Sequence, residues 1–572
     1  RHDGRLLTIN FSDYESSLPY QGYLMLNLNL PKLPDVISAE ANEILMVTNA
    51  DLREPANVTC WPVQKKFEDK LAAALKAQGY TMKRAHKIDE ARGHGFISSQ
   101  REGCDMFAAI DPDAPVIVLL TAWQYSHHIA SSLAHHRGPI LLLANFDGTW
   151  PGLVGMLCLA GTLTSLGKNY SRLWSENFDD TFFIDGLATW LKYGYVNHQL
   201  SYLKEVAPTH RVMATEAGEV GRKVGEYIIK NKEIIGLFDT FCMGMINGVF
   251  PQQAMIDIGM PIESLSQSAL LVEMAKVPDA LREECVQWYE NNGMTFKFGT
   301  DDKTELTREQ VKEQCAMMIA MARFVKRFGL TAVGVQYQQG LKDCCPASDF
   351  AEGAIGSTAR FPLPDENGDI ISPNTPIPCI NEVDMGTAIP QTMLWRLLTS
   401  LGLPAETTLH DIRWGSEYQG TFYWDMEISG SVPFEHLKGG IKGATGYRQP
   451  AMFFPKGGST IAGQGKAGRL LWARAHYQGT DVIMHIGTGM AVELPEAEFE
   501  RRRRATNYEW PLLNCTLDGV TRDDLMAGHQ SNHITVAYVD DDKLAFVLQA
   551  FVAQALTQGI QVKVAGDAIN LL

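Results

Sequence analysis

The chain has 572 residues, 45% of them hydrophobic and 20% charged, with a formal net charge of −16. That is material for several buried cores and an ordinary globular balance. An acidic chain whose one basic run, Arg501–Arg504, follows "ELPEAEFE" is a poor nucleic-acid binder; the run reads as the solvated face of a charged helix. The ten cysteines show no C-x-x-C spacing, and adjacent Cys344 and Cys345 have poor geometry for a bridge, so a reduced, cytoplasmic protein is expected. No apolar run is long enough to cross a membrane and the first residues carry no apolar signal core, so no membrane partner is expected.

In chain order, residues 1–40 show no period and read as an extension. From 43 the texture changes. "EILMVTN" reads as a strand, and "VQKKFEDKLAAALKAQGY" carries helical spacing at Phe67, Leu71 and Leu75. "TMKRAHKI", "PVIVLLTA" and "PILLLANF" follow as further strands. Continuous apolar runs separated by helices predict parallel strands covered on both faces, a Rossmann-like layer over 41–230. His127–His128 and His135–His136 read as pairs on a helix surface. The pattern returns with "EIIGLFDTF", a helical stretch over 307–327 and "GLTAVGVQYQ", giving a second α/β domain over 231–396. No G-x-G-x-x-G follows any of these strands, so neither layer needs a dinucleotide. Beyond 397, short runs such as "GTFYWDMEISG", "RLLWARAHYQ" and "DVIMHIGTG" are split by Gly-rich turns, and a β-rich C-terminal domain over 397–572 is predicted. The glycines of "FPKGGSTIAGQGKAG" lack the order of a phosphate-binding loop.

Three residues at β edges draw attention: Glu382 in "NEVD", Asp411 in "LHDIRWG" and His533 in "MAGHQSNHIT". Two carboxylates and an imidazole suit a hard divalent ion with open positions, although each alone is as well explained by an ion pair or a structural histidine. Asp384 reads as a partner behind such a site or as a turn residue.

Several blocks together, in one order, resemble the L-fucose isomerase family of metal-dependent aldose–ketose isomerases. "NFDGTWPG" is similar to N-G-T-x-x-P-G, "GVQYQQ" to G-F-Q-G-Q, "DFAEGAIGS" to D-T-A-E-A and "NEVD" to T-E-N-D. "HDIRWG" is similar to A-D-V-R-x-W, "AVELP" with its later "WP" to V-E-L-P and Trp-Pro, and "MAGHQSNH" to M-A-N-W-G-A-N-H. The resemblance implies two Rossmann-like α/β domains followed by a β-rich domain. It implies Mn²⁺ (or Mg²⁺ or Co²⁺) on Glu382, Asp411 and His533, with Glu382 and Asp411 moving protons through a cis-enediol. Sugar contacts would come from Gln336, Asn532, Trp123 and, more loosely, Arg53. It further implies a homohexamer whose sites are completed by a neighbour's first domain, placing Trp123 and Arg53 in trans. Departures at Trp150, at Cys344-Cys345 and at the absent Trp of "MAGHQSNH" point to a sugar other than simply L-fucose. An epimerase or lyase on a modified sugar, or a non-catalytic sugar-binding relative, are the alternatives.

Overall fold

The computed structural model describes residues 34–506 and 509–572, so most of the sequence-predicted extension lies outside the described residues. The protein is a mixed α/β molecule of two parallel layers and one larger mixed sheet. In the first layer the strands run in the order Thr81–Arg84, Glu43–Val47, Val116–Leu120, Ile140–Asn145, Ser171–Ser175, all parallel. Every residue of Val116–Leu120 and Ile140–Asn145 is buried, which is why these strands read as unbroken apolar runs. Residues before this layer are tied to it by a parallel bridge between Ile37 and Ile110. The strand order reverses between Glu43–Val47 and Val116–Leu120. Ligands of open α/β sheets sit outside the carboxyl ends of strands at such a reversal. The segments leaving these two strands carry Arg53 and Trp123.

The second layer repeats the plan. Ile262–Leu265, Ile235–Phe238 and Ala332–Val335 are parallel neighbours. The segment before Glu382 joins them through a parallel bridge between Val333 and Cys379 and an Ile380 N–H donated to Val333 O at 2.8 Å. The reversal here lies between Ile235–Phe238 and Ala332–Val335, whose carboxyl ends lead to Met243 and Gln338.

The third unit closes on itself. Thr407–Tyr418, Thr421–Glu427, Leu512–Leu517, Asp481–Val492, Gly468–Gln478 and His533–Tyr538 pair antiparallel in that order, and the last pairs back with the first. Closure leaves no free edge around the ring. Gln561–Ala565 adds to it in parallel, and Leu203–Val206 adds to that strand antiparallel. The first domain therefore ends short of the expected boundary at 230. The helix Glu216–Asn231 also packs on the C-terminal helix Asp541–Thr557, so closely that a Cβ on Gly221 would lie 1.9 Å from Ala550 O.

Two surface readings need correction. The helix Glu496–Ala505 carries the basic run, but Arg502 is 0% exposed, with Asp425 and Glu498 as ion partners. Only its neighbours are solvated. Likewise His128 and His136 of the expected surface pairs are buried; His128 stacks on Tyr125 and His136 bonds Ala114 O at 2.7 Å.

Candidate functional site

The three units meet at one pocket, into which each sends side chains. The first layer contributes Arg53, Trp123, Pro151 and Val154; the second contributes Met243, Gln338 and Glu382; the barrel contributes Asp411, Arg413, Ser429, Phe453, Phe454, Trp510 and Asn532.

Glu382 sits on a tight turn between the strand-like segment ending at Ile380 and the helix Met385–Ser400. Its φ is 56° and that of Val383 is 50°. A β-branched residue in the left-handed region is strained, and the strain here aims the preceding carboxylate at the pocket. Asp384 caps the following helix by accepting from Gly386 N at 2.8 Å. Its other oxygen faces Arg474 and accepts from His533 Nδ1, the latter at 2.6 Å. Burial pushes the Asp384 carboxyl up, but Arg474 and His533 outweigh it and hold it well below the usual range.

His533 and Asp411 are direct cross-strand partners, which puts both side chains on one face of the barrel wall. A register shift between Ile412 and Trp414 follows at once on the other edge of the same strand, a bulge of the kind that re-aims side chains. His533 Nε2 lies 3.4 Å from Glu382 Oε2 and 3.3 Å from Asp411 Oδ1. Asn532 Nδ2 donates to Asp411 Oδ1 at 2.9 Å. Burial alone would keep the His533 imidazole neutral; its bond to Asp384 and the nearby negative charges of Asp411 and Glu382 raise its pKa well above the ordinary value. Burial likewise raises Glu382. A smaller cavity behind Glu382 is lined by Asp349 and Glu352, and burial pushes Glu352 up to about 7.

Among the described residues no group of three or more His, Cys, Asp or Glu has the geometry of a preformed metal cluster. The trio nevertheless fits a hard divalent ion on one observation. His533 Nε2 is buried with no hydrogen-bond partner, while its Nδ1 is committed to Asp384. This is the carboxylate–histidine arrangement that fixes a metal-ligating tautomer. Separations of 3.3–3.4 Å are long for hydrogen bonds but close to the edge of a coordination shell with bonds of about 2.1–2.4 Å.

Two further buried polar atoms at this pocket have no partner: Trp123 Nε1 and Arg413 Nη1. Unmade buried donors cost about 1–3 kcal/mol each, so a ligand rich in oxygen acceptors is the natural complement.

Arg53 and Trp123 line this pocket within a single chain. Both were expected to reach a neighbouring subunit's site; here they stand beside Glu382 and Asp411 of their own chain. Arg53 is locked to Asp51, with Nε to Oδ1 at 2.7 Å, and its Nη1 reaches Gln338 Oε1 at 2.5 Å, joining the two α/β layers. Gln336 does not line the pocket; its side chain bonds Gln339 Oε1 at 2.7 Å. The lining glutamine is Gln338, past the end of the strand. Arg413 and Trp510 were not singled out from the sequence, although each lies inside a block quoted above. Met243 and Phe453 had no local signal, because only the folded loops bring them in.

A buried carboxylate beside Arg413 supplies a pH test. Burial pushes the Glu427 carboxyl up to about 8, against the pull of Arg413 3.4 Å away. The folded state thus keeps a proton that the unfolded chain releases above its ordinary value of 4.5. The stability this contributes is complete below that value and is lost as pH rises toward about 8. Glu427→Gln keeps the neutral shape, so its melting temperature should exceed the parent's at about pH 8.5, with no gain near pH 5. Parallel melting curves at both pH values check this, and an equal effect at both would contradict it.

No family model matches the chain, and no curated protein matches it significantly. No described helix is long and apolar enough to cross a membrane.

Proposed function

We propose that the chain is a divalent-cation-dependent sugar isomerase that interconverts an aldose and a ketose, with a fucose isomerase-like fold. The observation that carries this reading is His533 Nε2, buried without a hydrogen bond, its ring fixed by Asp384 and facing Glu382 and Asp411. Mn²⁺, Mg²⁺ or Co²⁺ held by these three would stabilise negative charge on two adjacent sugar oxygens. Glu382 carries the proton between neighbouring carbons: it is raised by burial and aimed from a strained turn, which suits a general base near neutral pH. Asp411, pinned by Asn532, serves the hydroxyl proton. Trp123 Nε1 and Arg413 Nη1 bind the distal end of the sugar. Phe453, Phe454 and Trp510 exclude water and shape the wall against its apolar face. The wall differs from the family pattern, so the preferred sugar is not simply L-fucose. A cytoplasmic hexamer is part of the same reading.

An aldose panel followed by NMR with added Mn²⁺ tests it. Ketose formation is expected from at least one aldose. EDTA should remove activity, and Mn²⁺ should restore it. Full activity in EDTA would rule out the cation. The unbonded Nη1 of Arg413 favours a second reading, an epimerase or lyase acting on an acidic or modified sugar; the same spectra distinguish it by product. Binding without turnover of any sugar would point to a non-catalytic relative.

A further inference from the structure

A second polar region lies on the far side of the first layer. Two adjoining grooves share Gly167–Ser171 and Asn197 and have no Asp or Glu among their lining residues. That is unusual for a chain of net charge −16. At the floor of one lies Arg172, on the edge strand Ser171–Ser175 and only 5% exposed. Its Nη1 donates to Met526 O at 3.1 Å and His529 O at 2.9 Å, and its Nη2 donates to Tyr170 OH at 3.2 Å. No described carboxylate forms an ion pair with it. Buried guanidinium groups are normally matched by an anion. Lys168 stands at the same groove, half-buried, and its Nζ donates to the His136 carbonyl rather than to a carboxylate. Tyr193 and Tyr195, each 57% exposed, line the adjoining groove and offer ring faces to the body of a ligand.

We propose that this groove binds the phosphate of a small phosphomonoester, with Arg172 and Lys168 as its cationic contacts, as an effector site separate from the candidate catalytic pocket. Arg and Lys donors converging without an acid are the usual recognition chemistry for phosphate. The site is wired to the pocket. The carbonyls that Arg172 holds belong to Met526 and His529, and His529 Nε2 in turn donates to His533 O at 2.9 Å. Thr164, another groove residue, donates to Gln530 Oε1 at 2.9 Å. Occupation of the groove therefore acts on the turn that carries Asn532 and His533.

Calorimetric titration of the intact protein with inorganic phosphate, at low and constant ionic strength, tests the site. Lys168→Ala should weaken binding at least about tenfold. Arg172→Gln should weaken it further if that variant folds, and His533→Ala should leave it within about twofold. No heat up to about 10 mM phosphate, or unchanged affinity in Lys168→Ala, would overturn the proposal. So would loss of binding in His533→Ala, which would place the anion at the catalytic pocket. Titration with AMP or glycerol phosphate separates the sources: tighter binding than inorganic phosphate, weakened by Tyr193→Ala and Tyr195→Ala together, is expected. Equal affinities would overturn the phosphomonoester assignment in favour of free phosphate.

Discussion

Replacing Arg474 with Met is expected to destabilise the protein by about 3–5 kcal/mol, the cost of leaving one member of a buried ion pair behind. Arg474 and Asp384 are both 0% exposed and in contact. The guanidinium comes from the barrel strand Gly468–Gln478, and the carboxylate from the start of the helix Met385–Ser400. A second bond, from Arg474 Nη2 to Asn247 O at 3.2 Å, ties in the second layer. There is no room for adjustment beside it: a Cβ on Gly386 would lie 2.3 Å from the guanidinium carbon. Methionine fills much of the space but leaves Asp384 charged, with only His533 and its own cap to satisfy it. Urea unfolding should show the loss as a lower midpoint at similar slope. Adding Asp384→Asn should recover part of it, because the charge left unpaired is then gone. A loss under about 1 kcal/mol for Arg474→Met would mean that the pair does not join the barrel to the second layer as described.

Glu382→Gln is expected to lower turnover by about a hundred- to ten-thousandfold, the usual contribution of a positioned general base. Folding should survive. Glutamine keeps the length of the side chain, and removing a carboxylate that burial disfavours relieves the folded state. The turn keeps its positive φ, since that conformation is set by the flanking strand-like segment and helix. The kinetic signature is a fall in kcat and kcat/KM together. Near-parental turnover from a folded Glu382→Gln protein would remove Glu382 from the chemistry and leave Asp411 as the proton carrier.

The parallel layers were legible because strands buried on both faces carry no polar alternation; "PVIVLLTA" and "PILLLANF" need no partner information to be recognised. The strand Leu203–Val206 was not legible. It is four residues with mixed exposure, and it is a strand only because Gln561–Ala565 lies beside it. The charged run containing Arg502 misled for the same reason: composition puts it in water, while Asp425 on a distant strand draws one arginine inside. At the pocket, residue types were more legible than positions. A glutamine was expected past the strand Ala332–Val335, but the pocket-facing one is Gln338, since Gln336 turns to Gln339. Arg53 and Trp123 were expected from another subunit. The repeated reversal of strand order in both layers brings them to Glu382 within one chain, a relation between sheets that no local pattern records.

The central claim is that Glu382, Asp411 and His533 share one divalent cation. A manganese-soaked crystal with an anomalous difference map collected near the manganese edge tests this most directly. The account predicts a single strong peak within bonding distance of His533 Nε2 and of both carboxylates, lost in His533→Ala crystals soaked in the same way. A map with no peak there, or with a peak that persists in His533→Ala, would contradict it.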